Sequence, residues 1–424
     1  MGMAGPDTMR RRDLLKTAAL AGSVGVAGCL RLTQEAGPDS ATPTTGGGTA
    51  TRSATTTDSS TIPQLQSVRE LFDVEWSSDK RIGSIQFHDN SLYGESGGTV
   101  RKFSRETGEL QWETTPEHGR EDNLIQSVRP TGSIVCVLER SDPDTDEPVR
   151  LFGVDPQDGT EVWYFEGEFA QWFTSSNRFA TSDRYAAFVQ QRKDNSTTNI
   201  WTVDIRTGER LSKTTIDEDD EDTDIRFVRT VLIRGERLLL FGNKVEVRDV
   251  TTGAVRKTRD LDLSHASING DWIYAGGSSV AKLSLDGLEP SWRTEVSSRT
   301  TASPEVSNEQ NKLVVGMKTG VRCFDASTGD PEWEYRTAGE ISDYDGGVEL
   351  IDGVVWAFDD AGHLSVIDLG SGDQVYDEQQ KSNGDHPSDM IASESRLYLS
   401  LVSSGEQPRT ELPRGTSAMS ISID

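Results

Sequence analysis

A short pattern recurs along this chain at an average spacing of 44 residues, and it limits the possible fold more than any other feature. Each copy reads as four or five apolar or alternating residues, a turn with glycine, and then a large residue. The copy from Val321, VRCFDASTGDPEW, contains all three parts. A repeat of this length is typical of a four-stranded propeller blade. The pattern therefore predicts an array of similar β units.

Seven copies share the pattern. They begin at Val100, Leu151, Ile200, Val245, Val280, Val321 and Leu364. In each copy a glycine is predicted where a tight turn needs a positive φ, which glycine adopts without steric cost. These glycines are Gly108, Gly159, Gly208, Gly253, Gly287, Gly329 and Gly372. An aspartate precedes most of the turns, where its carboxylate can accept backbone N–H bonds.

A large residue follows most of the glycines, and we predict that it lies on the outer strand of its blade. There its wide face can fill the gap between neighbouring blades. These residues are Trp112, Trp163, Trp292, Trp333 and Tyr376. Two copies depart from the pattern: Ser212 replaces the tryptophan in the third copy, and Arg248 replaces an apolar strand residue in the fourth.

Two further strand-like runs precede each copy, and no helical periodicity competes with them beyond the N-terminal segment. Four antiparallel strands per unit predict an all-β, eight-bladed β-propeller. Residues 68–76, VRELFDVEW, read as an outer strand without its inner partners, and the last unit lacks an outer strand. The N-terminal strand is therefore expected to join the last blade and close the ring. A seven-bladed ring is the alternative.

The N-terminus carries a targeting signal over residues 1–29. Arg11 and Arg12 resemble a twin-arginine export motif, and the apolar run from Thr17 to Gly28 is shorter than the roughly 20 residues of a membrane span. The run ends in Val-Ala-Gly before Cys29, an order that resembles a lipobox. We expect export by the twin-arginine route and lipid anchoring through Cys29 at the outer face of the cytoplasmic membrane. An incidental cysteine is the alternative.

Residues 30–64 are rich in Thr, Ser and Gly and contain few large apolar side chains. Such a segment cannot bury enough surface to offset its ordering entropy, so a disordered linker is predicted there. The propeller is then expected to occupy residues 65–424. Asn195, in Asn-Ser-Thr, is a possible N-glycosylation site on an exported chain.

The charge of the chain is strongly acidic. It has 70 acidic and 43 basic residues and a net charge of -27. This charge predicts no nucleic-acid partner, because phosphate backbones would be repelled. Acidic residues spread along the whole chain are typical of proteins from high salt, where screening reduces self-repulsion, and we interpret the protein as halophilic and haloarchaeal. An ordinary acidic protein is the alternative.

The repeats resemble the PQQ-like β-propeller family over residues 65–424. Their core, an apolar strand, Asp, a Thr-Gly turn and Trp, is specific for the fold and says little about chemistry. Together with the lipobox they also resemble outer-membrane assembly lipoproteins of the BamB type. That resemblance implies an adaptor that contacts other proteins through loops at one face of the ring.

Quinoprotein alcohol dehydrogenases also contain this repeat. A resemblance to them would imply a bound quinone, a calcium ion and a pair of adjacent cysteines. This chain has no adjacent cysteines and no Cys-x-x-Cys-His segment. Its histidines show no zinc-ligand spacing, and no Gly-x-Ser-x-Gly elbow occurs. We therefore predict no catalytic, cofactor or metal-binding residues, and a non-enzymatic role is favoured over a PQQ-dependent dehydrogenase. The histidines are His88, His118, His265, His363 and His386.

Two smaller features complete the sequence-based picture. Cys136 and Cys323 lie in apolar runs and are expected to be core residues, with a redox role as the alternative. The acidic stretches from Asp142 and Asp217 are expected to be solvated loops, with calcium binding as the alternative. The predicted function is a monomeric, lipid-anchored, protein-binding scaffold of the envelope. An extracellular ligand-binding sensor or solute receptor is a further alternative.

Overall fold

The computed structural model describes residues 73–78, 83–119, 125–139, 148–170, 178–191, 197–217, 225, 227–341, 347–351, 353–360, 363–379, 385–393, 396–403 and 418–422. All of them belong to the compact unit Gln64–Ile423. Within these ranges no helix has the length and apolar content that a membrane span requires. Arg11, Arg12, Cys29 and Asn195 lie outside the described residues, so their predicted roles stay predictions.

The fold is all-β, and the described strands pair into four-stranded antiparallel sheets, as predicted. Strand β1 (Asp73–Ser78) pairs with strands from the other end of the chain. Sheet one contains β2 (Gly83–His88), β3 (Ser91–Ser96), β4 (Thr99–Ser104) and β5 (Leu110–Thr114). Sheet two contains β6 (Ile125–Pro130), β7 (Val135–Glu139), β8 (Pro148–Val154) and β9 (Glu161–Ala170). Sheet three contains β10 (Phe179–Thr181), β11 (Tyr185–Gln191), β12 (Thr197–Asp204) and β13 (Arg210–Asp217).

The next four sheets are also built from consecutive strands, so seven such sheets lie in the described ranges. Sheet four contains β14 (Val228–Arg234), β15 (Arg237–Gly242), β16 (Val245–Asp249) and β17 (Val255–Arg259). Sheet five contains β18 (Leu263–Asn269), β19 (Trp272–Gly277), β20 (Ser279–Ser284) and β21 (Pro290–Glu295). Sheet six contains β22 (Glu305–Ser307), β23 (Lys312–Met317), β24 (Gly320–Asp325) and β25 (Pro331–Arg336). Sheet seven contains β26 (Gly347–Ile351), β27 (Val354–Phe358), β28 (His363–Asp368) and β29 (Gln374–Gln379).

One further sheet joins the two ends of the described chain. It contains β30 (Asp385–Ser393), β31 (Arg396–Ser403), β32 (Ala418–Ser422) and β1, in the spatial order β1-β32-β31-β30. Strand β1 pairs antiparallel with β32, and Trp76 lies opposite Ser420. The N-terminal strand therefore takes the outer position in a sheet whose other three strands come from the C-terminal segment.

The sheets pack face to face, which explains why their middle strands are apolar on both sides. Every described residue of β7 and β11 is buried. Leu138 and Leu151 of sheet two form one cluster with Phe188 and Trp201 of sheet three. The outer strands, in contrast, alternate between exposed and covered positions, as in β25. The core is therefore divided among the junctions between sheets.

A tryptophan on the outer strand links each of four sheets to the next, and we call this contact a tryptophan clasp. Nε1 of Trp163 in sheet two donates a hydrogen bond to the carbonyl oxygen of Ile205 in sheet three at 2.7 Å. The indole ring lies against Gly208, where a Cβ would come within 2.8 Å of the ring. Three further clasps join Trp112 to Pro156 and Gly159, Trp292 to Ala326 and Gly329, and Trp333 to Leu369 and Gly372.

The turn beside each clasp is held by its aspartate. In sheet six, Oδ1 of Asp325 accepts hydrogen bonds from the backbone N–H groups of Ser327 and Thr328, each at 2.8 Å. These bonds, with the Thr328 bond the strongest cause, lower the pKa of the Asp325 carboxyl. The N–H of Gly329 donates to the Asp325 carbonyl at 2.8 Å and closes the turn.

The turn of sheet five corrects the prediction made for Gly287. The positive φ lies at Leu288 (53°), and Gly287 is not among the residues with positive φ. The N–H of Leu288 donates to the carbonyl of Ser284 at 2.9 Å, as the turn glycine does in the other sheets. Leu288 therefore occupies the turn position, one residue later than the sequence pattern suggested.

The physical reason lies in the preceding sheet. Sheet four carries Lys257, not tryptophan, four residues after its turn glycine, so no indole ring presses against the turn of sheet five. The side chain of Leu288 is fully buried. Its burial offsets the cost of about 1–2 kcal/mol that a left-handed conformation imposes on a residue with a Cβ.

Polar contacts replace the clasp between sheets three and four. A Cβ on Gly253 would meet Thr214 Oγ1 at 2.5 Å and Ser212 Oγ at 3.4 Å, so hydroxyl groups stand where the indole would be. On the other side Arg248 donates to the carbonyl oxygen of Gly253 at 3.1 Å and to the buried carboxylate of Glu246 at 2.7 Å. The two residues that depart from the repeat therefore meet at one junction.

The clasp predicts a specific cost for adding one methyl group at its glycine. In Gly329→Ala the new Cβ would lie 2.5 Å from the Trp292 ring at a φ of +78°, so strain and overpacking combine. We expect a loss of about 2–4 kcal/mol of unfolding free energy, measured by chemical denaturation. Gly235→Ala is the matched control, because its φ is +58° and no atom lies within 4 Å of the new Cβ. Equal losses of unfolding free energy in Gly329→Ala and Gly235→Ala would show that the Trp292 ring yields to the new methyl group.

Candidate functional site

The first strands of the sheets form the wall of a central channel. Strand β2 contacts β6, β6 contacts β10, β10 contacts β14, and β14 contacts β18. On the other side β22 contacts β26. Contact between the first strands of successive sheets is the arrangement of innermost strands in a propeller. These strands are therefore the innermost strands of their sheets.

A cavity of about 260 Å³ lies in this channel, against the first strands of sheets two to five. Most of its wall is apolar. Its apolar residues are Phe179, Ala180, Val231, Leu232, Ile233, Ala266 and Ile268. Its polar residues are Arg129, Thr181, Thr230 and Ser303. Among these described lining residues Arg129 alone has a charged side chain.

Hydrogen bonds between sheets hold the wall in place. Thr230 Oγ1 on β14 donates to the carbonyl oxygen of Ser264 on β18 at 2.6 Å. Ser267 Oγ on β18 donates to the carbonyl oxygen of Pro304 at 2.6 Å. The described lining does not fit a quinone cofactor with several carboxylates, because one arginine would face several anions and the apolar wall would desolvate them.

Two glutamates occupy equivalent places on the opposite side of the channel. Glu305 on β22 pairs with Val314, and Glu349 on β26 pairs with Trp356. Val314 and Trp356 are each the third residue of the second strand of their sheet, so the two glutamates occupy the same register position in sheets six and seven. The strands that carry the glutamates, β22 and β26, are in contact. Desolvation of this half-buried side chain raises the pKa of Glu305 to about 7. This side chain therefore carries a proton over much of the range below neutral pH.

An ordered patch lies on the outer strand of sheet two, and we call it the β9 patch. Val162 and Tyr164 are 52% and 46% exposed, while Trp163 between them points inward to its clasp. The His118 ring stacks on Tyr164 at 4.0 Å between centroids, and its Nδ1 donates to Glu161 Oε1 at 2.5 Å. Arg150 donates to the carbonyl oxygen of His118 at 2.8 Å. An exposed aromatic side chain held in one orientation is well suited to protein contact.

The cysteines and histidines are dispersed. Cys136 and Cys323 are free and buried, and burial raises the pKa of the Cys136 thiol and raises that of Cys323 to about 12. Such thiols are poor nucleophiles. His363 lies 3.3 Å from the buried carboxylate of Asp359, and His265 is buried in β18. In the described ranges no group of three or more His, Cys, Asp or Glu is placed to hold a metal ion.

The structure places the four predicted tryptophans at sheet junctions, and none of the predicted repeat residues lines the cavity. Residues 142–147 and 218–224 of the acidic stretches lie outside the described residues, so neither interpretation of them is tested. The channel residues Arg129 and Glu305 were missed from the sequence, because each sits in a short strand without any local motif. No signal set them apart, because the first strands β14, β26 and β30 carry charged residues as well.

Comparison with known proteins gives a family and a fold. The family model described as outer membrane protein assembly factor BamB matches residues 76–285 and 276–404. No curated protein matches the chain. The crystal structure of BamB from Moraxella catarrhalis is similar at a TM-score of 0.60 and 16% identity, covering 82% of this chain and 99% of that one.

Two enzymes share the fold. A europium-containing methanol dehydrogenase has a TM-score of 0.57 and 10% identity, with 83% of this chain and 93% of that one covered. The quinohemoprotein alcohol dehydrogenase from Comamonas testosteroni has a TM-score of 0.58 and 11% identity, with 85% and 78% covered. At these identities the likeness is one of fold and carries no activity to this chain.

The raised pKa of Glu305 predicts the pH dependence of stability. Because the folded-state pKa lies above the unfolded value, ionising Glu305 destabilises the folded state as pH rises from about 4.5 towards 7 and above. Glu305→Gln should therefore have a higher Tm than the parent at pH 8 and a similar Tm at pH 4, measured by thermal unfolding. Glu309→Gln, at an exposed hairpin position, should have the same Tm as the parent at both pH values. A rise in the Tm of Glu305→Gln that is equal at pH 4 and pH 8 would contradict ionisation of Glu305 as the cause.

Proposed function

Because this chain belongs to the family described as outer membrane protein assembly factor BamB, we propose that its propeller is a protein-interaction scaffold of the cell envelope. The family match, which spans most of the described β-sheets, is the observation that carries the proposal. The scaffold role also agrees with the molecule itself. Its repeated residues are used in joining sheets, and the exposed β9 patch is ordered by contacts that the repeat does not require.

The proposed scaffold is a closed, eight-bladed ring. The sheet formed by β1 and β30–β32 would be the eighth blade, in which the N-terminal strand completes the C-terminal strands. Three contacts support this arrangement: β1 pairs with β32, β30 contacts β26 of sheet seven, and β30 contacts β2 of sheet one. In this arrangement β1 covers the edge of β32 that would otherwise stay unpaired, which lowers the tendency to edge-to-edge association, in keeping with a monomer.

The proposed location is the outer face of the cytoplasmic membrane. Arg11 and Arg12 would direct export of the folded chain by the twin-arginine route, and a lipid on Cys29 would hold it at the surface. The Thr-, Ser- and Gly-rich residues 30–64 would then tether the propeller at a distance from the lipid. The net charge of -27 suits a protein working in high salt and supports a haloarchaeal origin.

The anchor is tested by substitution of its cysteine. Cys29→Ala should move the protein from the membrane fraction to the soluble exported fraction, because the lipid attachment site is lost. Replacing both Arg11 and Arg12 by lysine should keep the unprocessed chain inside the cell. Cell fractionation with mass determination of the N-terminal peptide measures both effects. Cys323→Ala serves as the control and should stay in the membrane fraction, whereas membrane retention of Cys29→Ala would exclude a lipid on this residue.

The scaffold role is tested by affinity capture of the full chain from source membranes solubilised in high salt. We expect the same envelope protein in independent captures, and we expect Tyr164→Ala to reduce its recovery about tenfold or more, since an exposed, oriented tyrosine is a typical interface anchor. Val255→Ala truncates another exposed side chain, on sheet four, and should leave recovery unchanged. Failure to recover any reproducible partner, with the chain folded and abundant, would count against the scaffold role.

A further inference from the structure

We propose that the β9 patch docks an extended, positively charged segment of a partner protein, and that an arginine or lysine of this segment binds the neighbouring carboxylate of Glu166. The proposal rests on the scaffold role and names the chemistry of the partner segment. Three properties of the surface carry it: the pairing of its exposed apolar side chains, the exposure of Glu166 and the charge of β9.

The exposed apolar side chains of the described residues form a pair only on β9. Single exposed apolar side chains are ordinary on a protein surface and need no explanation. Val162 and Tyr164 instead flank Trp163, whose ring is turned into its clasp, so both project from the opposite side of the strand. The pair offers a partner one apolar and aromatic anchor. The exposed large hydrophobic residues are Leu110, Val162, Tyr164, Phe227, Val255 and Trp272.

Glu166 continues the same face of the strand. It lies two residues beyond Tyr164, and Phe165 between them packs into the core with sheet three. The Glu166 side chain is 48% exposed, whereas that of its partner Arg150 is 18% exposed, so the carboxylate is the member of the pair that faces solvent. Arg150 Nε donates to Oε2 of Glu166 at 3.2 Å. Because a carboxylate has about four acceptor positions, Glu166 can accept further hydrogen bonds from a partner's cation.

The charge of β9 selects a basic segment. Its sequence, EVWYFEGEFA, contains three glutamates and neither lysine nor arginine. The outer strand of sheet four has the opposite character, since β17 reads VRKTR, with three basic residues and no acidic one. An acidic segment would be repelled at β9 and a basic one attracted, because complementary charges across an interface set the choice of partner.

The high salt proposed for this protein limits the attraction to charges in direct contact. The Debye length is about 3 Å at 1 M salt, so the net charge of -27 does not draw a partner from a distance. A guanidinium seated on Glu166 keeps its interaction, because its paired hydrogen bonds to a carboxylate are short and directed. The apolar contact with Val162 and Tyr164 does not depend on charge. The two parts of the surface therefore act together on one segment.

The test uses the purified full chain with a photo-reactive p-benzoylphenylalanine in place of Val162, added to source membranes solubilised in high salt. Mass spectrometry then identifies the cross-linked peptide. We expect a segment of the protein recovered by affinity capture, with a lysine or arginine within four residues of the cross-linked residue, because Val162 and Glu166 are four residues apart. The same probe in place of Val255, an exposed valine on the basic strand β17, is the control and should not select basic segments.

A neutralising variant tests the carboxylate. Glu166→Gln in the chain that carries the probe at position 162 should lower the cross-linking yield about threefold to fivefold, because one charge-assisted contact is lost. Glu113→Gln is the matched control and should leave the yield unchanged, since Glu113 makes the same cross-strand contact, with Arg101 on sheet one at 3.2 Å. Circular dichroism checks the fold of both. The identified segment is then synthesised with glutamine in place of its lysines and arginines, and its affinity for the full chain, measured by fluorescence anisotropy, should fall about tenfold.

Three results would overturn the proposal: a cross-linked segment without a nearby lysine or arginine, a segment from a second copy of this chain, and an unchanged yield in Glu166→Gln. Recovery of a partner by affinity capture without any cross-link at position 162 would also remove this docking site, and it would leave the scaffold role in place. Absence of any captured partner would count against the scaffold role itself and against the docking site with it.

Discussion

The contact between an indole ring and a turn glycine is the interaction on which the rest of this structure depends. The ring of one sheet covers the glycine of the next, and its N–H satisfies a backbone carbonyl of that turn. The contact therefore couples apolar burial to a directed hydrogen bond across each junction. Because glycine alone offers both a positive φ and a flat surface without Cβ, the requirements of the turn and of the ring coincide at one residue.

The exceptions follow from the same constraint. Where sheet four lacks the tryptophan, the next turn no longer needs glycine, and Leu288 can take the left-handed position with its side chain buried. Where sheet three lacks it, hydroxyl groups and the Glu246–Arg248 pair meet at Gly253. A buried ion pair of this kind fixes the positions of its side chains more than it stabilises the fold, because the cost of desolvating the two charges cancels much of their attraction. The described junctions between sheets one and seven are thus of more than one kind, and the repeat is uneven for a physical reason.

The unevenness extends to the centre of the molecule. The cavity lies against sheets two to five, which include the two junctions where Ser212 and Lys257 stand in place of the tryptophan. The two glutamates at one register position stand on sheets six and seven instead. The cavity lining on sheets two to five is thus mostly apolar, with one arginine among its described residues, and the two glutamates lie on other sheets. Desolvation of the Glu305 side chain raises the pKa of its carboxyl.

The sequence by itself determined the all-β class, the four-stranded unit and the residues that join the units. These properties depend on local periodicity and on turn chemistry, which a linear pattern records directly. It misplaced the turn of sheet five by one residue, because the choice between Gly287 and Leu288 depends on whether a ring from another sheet presses on it. Only the tertiary structure brought Arg129, Leu232 and Ile268 around one cavity, and Tyr164 under the ring of His118. These residues lie in different sheets or in separate segments of the chain, so their meeting is decided by packing across junctions and leaves no motif in the sequence.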